Sequence, residues 1–141
     1  MSIRIANSAH EIYACFSLMQ LLRPHIREAS FVSLIREQQN SGYRLAYLHE
    51  SSGILALAGF RVNENLAWGR FLYVDDLITL PEHRSKGYGA RLLKWLASQA
   101  RREGCRQLHL DSGVQRIDAQ RFYEREGLSR TGFHYSMEIK P

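Results

Sequence analysis

Between Arg70 and Arg102 the hydrophobic period changes once, and that change constrains the fold of this chain more than any other feature. Arg70 to Leu80 is a long β-type run closed by Pro81-Glu82-His83. From Gly87 onward the spacing is helical, with Gly89, Leu92, Leu93, Leu96, Ala97 and Ala100 on one face. Arg101 and Arg102 suit the negative end of the helix dipole, and Gly104 supplies the stop. A strand, a glycine-containing loop and a strongly amphipathic helix in that order make an α/β unit, in which the helix buries its apolar face against a sheet.

The flanking segments extend this unit. Ser2 to Ala6 alternates as a short strand, and Ile12, Cys15, Phe16, Met19 and Leu22 share one helical face over 8–22. A second helix over about 30–40 stops at Asn40-Ser41-Gly42. Tyr43–Leu48 and Ile54–Arg61 read as an antiparallel hairpin joined through Glu50-Ser51-Ser52-Gly53, with another turn at Asn63-Glu64-Asn65. Gln107–Leu110 is a short strand, Asp118 caps a helix that Gly127 ends, and Phe133 to Ile139 alternates as a final strand. The expected order is β-α-α-β-β-β-α-β-α-β, a mixed α/β (α+β) sheet flanked by helices. No linker or repeat interrupts the 141 residues, so one domain over 1–141 is expected.

Composition narrows the class. The longest apolar stretch, Ile54 to Phe60, is far short of the ~20 residues a membrane helix needs, and the N-terminus carries no signal segment. A cytoplasmic protein without membrane partners is the expectation. Cys15 and Cys105 are too few for a disulfide framework, and His109 with Asp111 lacks a third ligand, so no metal is expected. Net charge is +5, and of 19 basic residues only Lys86, Lys94 and Lys140 are lysines. Arginine suits phosphate, so an anionic ligand or partner fits, but the excess is spread along the chain, which argues against nucleic acid and is equally that of a soluble surface that happens to be basic.

Arg84-Ser85-Lys86-Gly87-Tyr88-Gly89-Ala90 lies at the strand–helix junction, where loop N–H groups and the helix dipole make an anion cradle. It is not a Walker loop, because Gly89 is followed by Ala90-Arg91, and not a dinucleotide fingerprint, because Leu92 stands where a third small residue is required. On these residues alone a tight turn is the competing reading.

The segment resembles the cofactor loop of the GNAT N-acyltransferase superfamily, Arg/Gln-x-x-Gly-x-Gly/Ala, in Arg84-x-x-Gly87-x-Gly89. A second block, Ala119-Gln120-Arg121-Phe122-Tyr123-Glu124-Arg125-Glu126-Gly127-Leu128, is similar to that family's Ala-x-x-Phe-Tyr-x-x-x-Gly-Phe helix. The resemblance implies a V-shaped split between two parallel central strands that holds acetyl-CoA. The pyrophosphate would rest on Ser85 to Ala90, and the pantetheine would pair with the main chain of Leu77, Ile78 and Thr79. Arg84 and Lys86 would screen the remaining phosphate charge. Arg116 stands where relatives often carry a CoA-contacting Asn.

By the same resemblance Tyr123 would protonate the departing thiolate; otherwise it is an aromatic packing residue. The acceptor would be an amine. With a pKa of ~10.4, freeing its lone pair at pH 7 costs about 4.6 kcal/mol, so a base is valuable. Asp75 matches the glutamate of the superfamily's diamine acetyltransferases and is the expected base, directly or through water. A structural Asp75-Asp76 pair at a bulge is the alternative, and alternation lets only one of the two face the site unless a bulge intervenes. The expected activity is direct transfer of acetyl from acetyl-CoA to a primary amine in a ternary complex. A CoA-binding module without turnover, or acetylation of a peptide or protein amine, is the alternative. Homodimers are frequent among such proteins.

Overall fold

A computed structural model describes residues 2–84 and 86–141, which pack as two compact units, Met1–Leu110 and Asp111–Pro141. In the first unit a five-stranded sheet runs β1 (Ser2–Ile5), β2 (Arg44–Glu50), β3 (Gly53–Asn65), β4 (Gly69–Thr79) and β5 (Gln107–Leu110), in that spatial order. The first three pairings are antiparallel, and β4 with β5 is parallel. The mixed α/β sheet expected from the sequence is therefore present.

Helices α1 (Ala9–Ala14), α2 (Phe16–Leu22) and α3 (Phe31–Asn40) cover one face, and α4 (Tyr88–Arg102) packs on β3, β4 and β5. Ile12, Phe16, Met19, Phe31 and Ile35 close over Tyr43, Leu45, Leu57 and Ile78 to form the first core layer. Beneath α4, Leu92, Leu93, Leu96 and Ala100 are buried, and Phe60 meets the edge of Trp95 at 6.0 Å between centroids. Helix α1 starts in a capping box: the Ser8 hydroxyl accepts from the Glu11 N–H, and the Glu11 carboxylate accepts from the Ser8 N–H. The hydrogen bond from the Tyr47 hydroxyl, with those from the Ser8 and Asn7 N–H groups, holds the Glu11 pKa down at about 2.

Four expectations change. The helix over 8–22 is two helices, because the Cys15 N–H bonds to the Ile12 carbonyl and tightens the turn there. The Cys15 thiol is fully buried, and burial pushes its pKa up to about 12, which leaves it inert. The turn placed at 63–65 lies at 66–68, where Asn65 Oδ1 accepts from the Trp68 N–H and lets β3 run on to Asn65. In the second unit α5 is Ile117–Arg125 with Arg116 at its N-cap, so Asp118 sits inside the first turn and caps nothing. Phe133 to Ile139 forms no strand. Phe133, Tyr135, Met137 and Ile139 are all exposed, because alternation supplies only the side-chain half of a strand and the backbone half needs a ladder partner. No helix among the described residues is long and apolar enough to cross a membrane.

Candidate active site

Two features of β4 shape the site. Its parallel ladder with β5 runs from Phe71↔Gln107 to Val74↔Leu110 and ends there. Beyond it, residues 75–79 remain paired to β3 on one side, with Leu77, Ile78 and Thr79 opposite Ala58, Leu57 and Ala56. Among the described residues no strand pairs with this stretch on the β5 side. At about 3.3 Å per residue, five residues expose roughly 16 Å of strand edge.

The second feature is a bulge. Gly59 pairs with Asp76 but Phe60 pairs with Val74, so Asp75 is the extra residue. Val74 therefore shares the face of Phe60, toward α4, while Asp76 and Ile78 share the face of Gly59 and Leu57, toward α1–α3. The bulge lets both carboxylates join one network on that face.

Asp75 Oδ2 accepts from Arg61 Nε at 2.9 Å, and Asp76 Oδ1 accepts from Arg23 Nε at 2.9 Å. Arg23 Nη2 also donates to the Asp75 carbonyl at 2.9 Å, and the Tyr43 hydroxyl donates to Asp76 Oδ2 at 2.7 Å. Arg61 lies over the Tyr43 ring at 5.3 Å and donates to Gln38 Oε1 of α3. Each carboxylate thus faces its own guanidinium, and the pair does not present the bare negative charge that would attract a cationic acceptor. Asp75 Oδ1 is buried without a hydrogen-bond partner among the described residues. Burial pushes the Asp75 pKa above its ordinary value, the Asp76 charge adds to this, and Arg61 and Arg23 oppose it. Burial next to the Asp76 charge likewise holds Tyr43 well above 10 and protonated.

The glycine loop follows β4. Pro81–His83 makes a 3-10 turn, Arg84 and Lys86 are exposed, and Ser85 lies outside the described residues. Gly87 takes φ +82° as the N-cap of α4, a left-handed conformation that side chains with a Cβ resist. No side chain caps α4, so the N–H groups of Tyr88, Gly89 and Ala90 head the helix at the positive end of its dipole. The Arg91 N–H closes the first turn on the Gly87 carbonyl at 3.0 Å.

In the second unit Tyr123 lies on α5 and is half-buried. Burial raises its pKa above 10, and the Arg116 charge pulls the other way, so the hydroxyl stays protonated at neutral pH. Arg116 is exposed at the head of the same helix. His109, set aside as a metal ligand, stacks on Trp68 at 3.5 Å.

Sequence reasoning missed Arg23, Arg61, Tyr43 and Gln38. One signal was present: Gly59 interrupts a β pattern, which marks a bulge or a close approach.

Comparison with known proteins identifies the family. The model of the acetyltransferase (GNAT) family matches residues 8–128. An uncharacterized N-acetyltransferase of Bacillus subtilis, YhdJ, is 34% identical over 117 residues, 82% of each chain. An aminoalkylphosphonate N-acetyltransferase of Salmonella typhimurium is 35% identical over 66 residues, 47% of this chain and 43% of that one. The solved structure of the aminoglycoside N-acetyltransferase AAC(6')-Iy with CoA superimposes with a TM-score of 0.88 at 15% identity, covering 99% of this chain and 95% of the other. A family model that spans most of the chain settles kinship: the chain belongs to the acetyltransferase (GNAT) family.

Proposed function

We propose that this N-acetyltransferase transfers acetyl from acetyl-CoA to a primary amine of a small molecule by direct attack in a ternary complex, with residues 1–141 acting as one catalytic domain. The observation that carries the reading is the open edge of β4 over 75–79, followed directly by the uncapped head of α4. An extended chain of amides fits the first by main-chain pairing, and a diphosphate fits the second. Leu77, Ile78 and Thr79 would hold the pantetheine, and the main chain of Ser85, Lys86, Gly87, Tyr88, Gly89 and Ala90 the pyrophosphate. The Arg84 and Lys86 side chains would screen the remaining phosphate charge, and Arg116 would replace the contact that an Asn makes in relatives.

Bound acetyl-CoA supplies the thioester whose acyl carbon receives the amine. Asp75, whose ionised form Arg61 favours against burial, takes the proton that the attacking nitrogen must lose. Tyr123, with its hydroxyl kept protonated, gives a proton to the sulfur as the C–S bond breaks. The products are the acetamide and CoA thiol.

Titration with acetyl-CoA by calorimetry tests the donor. Wild type should bind and Gly89→Trp should not, since an indole at the head of α4 fills the diphosphate position. Equal binding, or none in either, overturns the reading. Thiol release over a panel of cadaverine, 2-aminoethylphosphonate, L-lysine and an alanine-terminated peptide then tests the acceptor. With Arg61 and Arg23 offsetting the two aspartates, the dication should hold no advantage over the zwitterions.

Tyr123→Phe removes only the hydroxyl. We expect kcat to fall by about 10²-fold while acetyl-CoA affinity holds. An unchanged kcat would assign Tyr123 to packing alone.

A further inference from the structure

Asp75 is held from one side only. Arg61 grips Oδ2 at 2.9 Å, and is itself fixed by Gln38 of α3 and by the Tyr43 ring beneath it. Arg23, the other cation of the network, spends its Nη2 contact on the Asp75 main-chain carbonyl and its Nε on Asp76. Neither guanidinium reaches Oδ1, which stays buried and unpartnered among the described residues. A buried carboxylate oxygen without a donor is costly, and such atoms are rare in folded proteins. A proton donor brought to that point during turnover would remove the cost.

We propose that Arg61 is a positioning residue: by holding Asp75 through Oδ2 it reserves Oδ1 as the atom that accepts the acceptor's proton. The inference rests on the reading of Asp75 as the base. The Asp75 side chain keeps 25% exposure but Oδ1 itself is closed to water in this structure, so the proton reaches it through one water admitted together with the acceptor. As the new C–N bond forms, the nitrogen gives a proton to that water, and the water gives one to Oδ1. The charge of the carboxylate is neutralised and no electrons leave the system.

The groups facing Asp75 are Arg61 from β3, Arg23 from the end of α2, Asp76 beside it on β4 and Tyr43 at the entry to β2. Of the side-chain influences on its ionisation, the Arg61 hydrogen bond and charge favour the ionised form most. Removing them leaves burial and Asp76 to favour the protonated acid. The acid limb of the rate profile then moves to higher pH.

The test uses the full chain with selectively labelled Asp carboxyl carbons, Asp75 being assigned by the signal lost in Asp75→Asn. In Arg61→Gln the Asp75 carboxyl should titrate at higher pH than in wild type. Arg61→Lys, which keeps a cation and tolerates the same surroundings, should fall between them. Thiol release with the best amine of the panel should drop on the order of tenfold at pH 7 in Arg61→Gln and recover as pH rises. A titration and acid limb unmoved in both Arg61 variants, with Asp75→Asn inactive, would overturn the role of Arg61 and leave the base standing. Full activity in Asp75→Asn would remove the base and this inference together. Thermal melts confirm that each variant is folded, and the lysine variant carries the test if the glutamine one is not.

Discussion

Asp75→Asn should lower kcat/KM at pH 7 by about 10²–10⁴-fold, the largest catalytic effect expected of any single substitution in this chain. Asparagine keeps the size of the side chain and can still accept from Arg61 Nε, so the network of Arg61, Gln38 and Tyr43 has no steric reason to collapse. What it loses is the capacity to take a proton. The rate then depends on the fraction of acceptor already unprotonated, which for an alkylamine of pKa ~10.4 is very small at neutral pH and grows as pH rises. The deficit should therefore narrow with increasing pH. The inflection that Asp75 adds to the wild-type acid limb, at a pH that burial lifts above the ordinary aspartate value, should disappear and leave only the rise that follows the free amine. Steady-state thiol release over the full pH range in which both proteins stay folded reads both effects. A deficit constant across that range would mean that Asp75 supports structure or binding and takes no proton.

Asp76, next in sequence, answers differently because its surroundings differ. Both of its carboxylate oxygens are engaged, one by Arg23 and one by the Tyr43 hydroxyl. It has no free acceptor atom to offer, so its role is to hold Arg23 and Tyr43 in place. The sequence could not separate these two residues, because alternation assigns them to opposite faces and only the bulge returns them to one.

The legible parts of the molecule are those in which the information is local. The run from Gly69 to Thr79, the left-handed Gly87 and the apolar stripe of Leu92, Leu93 and Leu96 each follow from neighbours within a few positions. The expectation of a parallel pair at β4 followed from the resemblance of Arg84 to Gly89, and no local pattern says where its ladder with β5 ends. The ion pairs lie beyond local reading. Arg23 is 53 positions from Asp76, and Arg61 is 14 from Asp75 across a bulged hairpin. Two adjacent aspartates in a strand do demand two cations, yet with arginine so common here the demand names no partner. Phe133–Ile139 failed for the complementary reason: its alternation is local, whereas a ladder is not.

Gly59→Ala should be the most damaging small substitution outside the catalytic groups. A Cβ built on Gly59 would lie 1.9 Å from the Tyr43 hydroxyl oxygen, 2.4 Å from Tyr43 Cζ and 2.6 Å from Asp76 Oδ2. None of these atoms is free to retreat. Tyr43 is buried at 4% exposure beneath Arg61, and Asp76 is fixed by Arg23. The methyl must therefore displace the ring or open the bulge, an overpacking cost of about 1–3 kcal/mol. In a chain of this size that corresponds to roughly 3–10 °C in Tm. The shift passes to the base as well, since Tyr43 supports the guanidinium that holds Asp75, so kcat should fall beyond what the lost stability explains at 25 °C. A double-mutant cycle separates the contact from any general intolerance of the strand. In a Tyr43→Ala background the ring is gone and only the Asp76 contact remains, so adding Gly59→Ala should cost clearly less than it does in wild type, giving non-additivity between two residues that sequence alone does not connect. Additive melting shifts would mean that the ring and the glycine do not meet, and that the bulge is held open by something other than Tyr43.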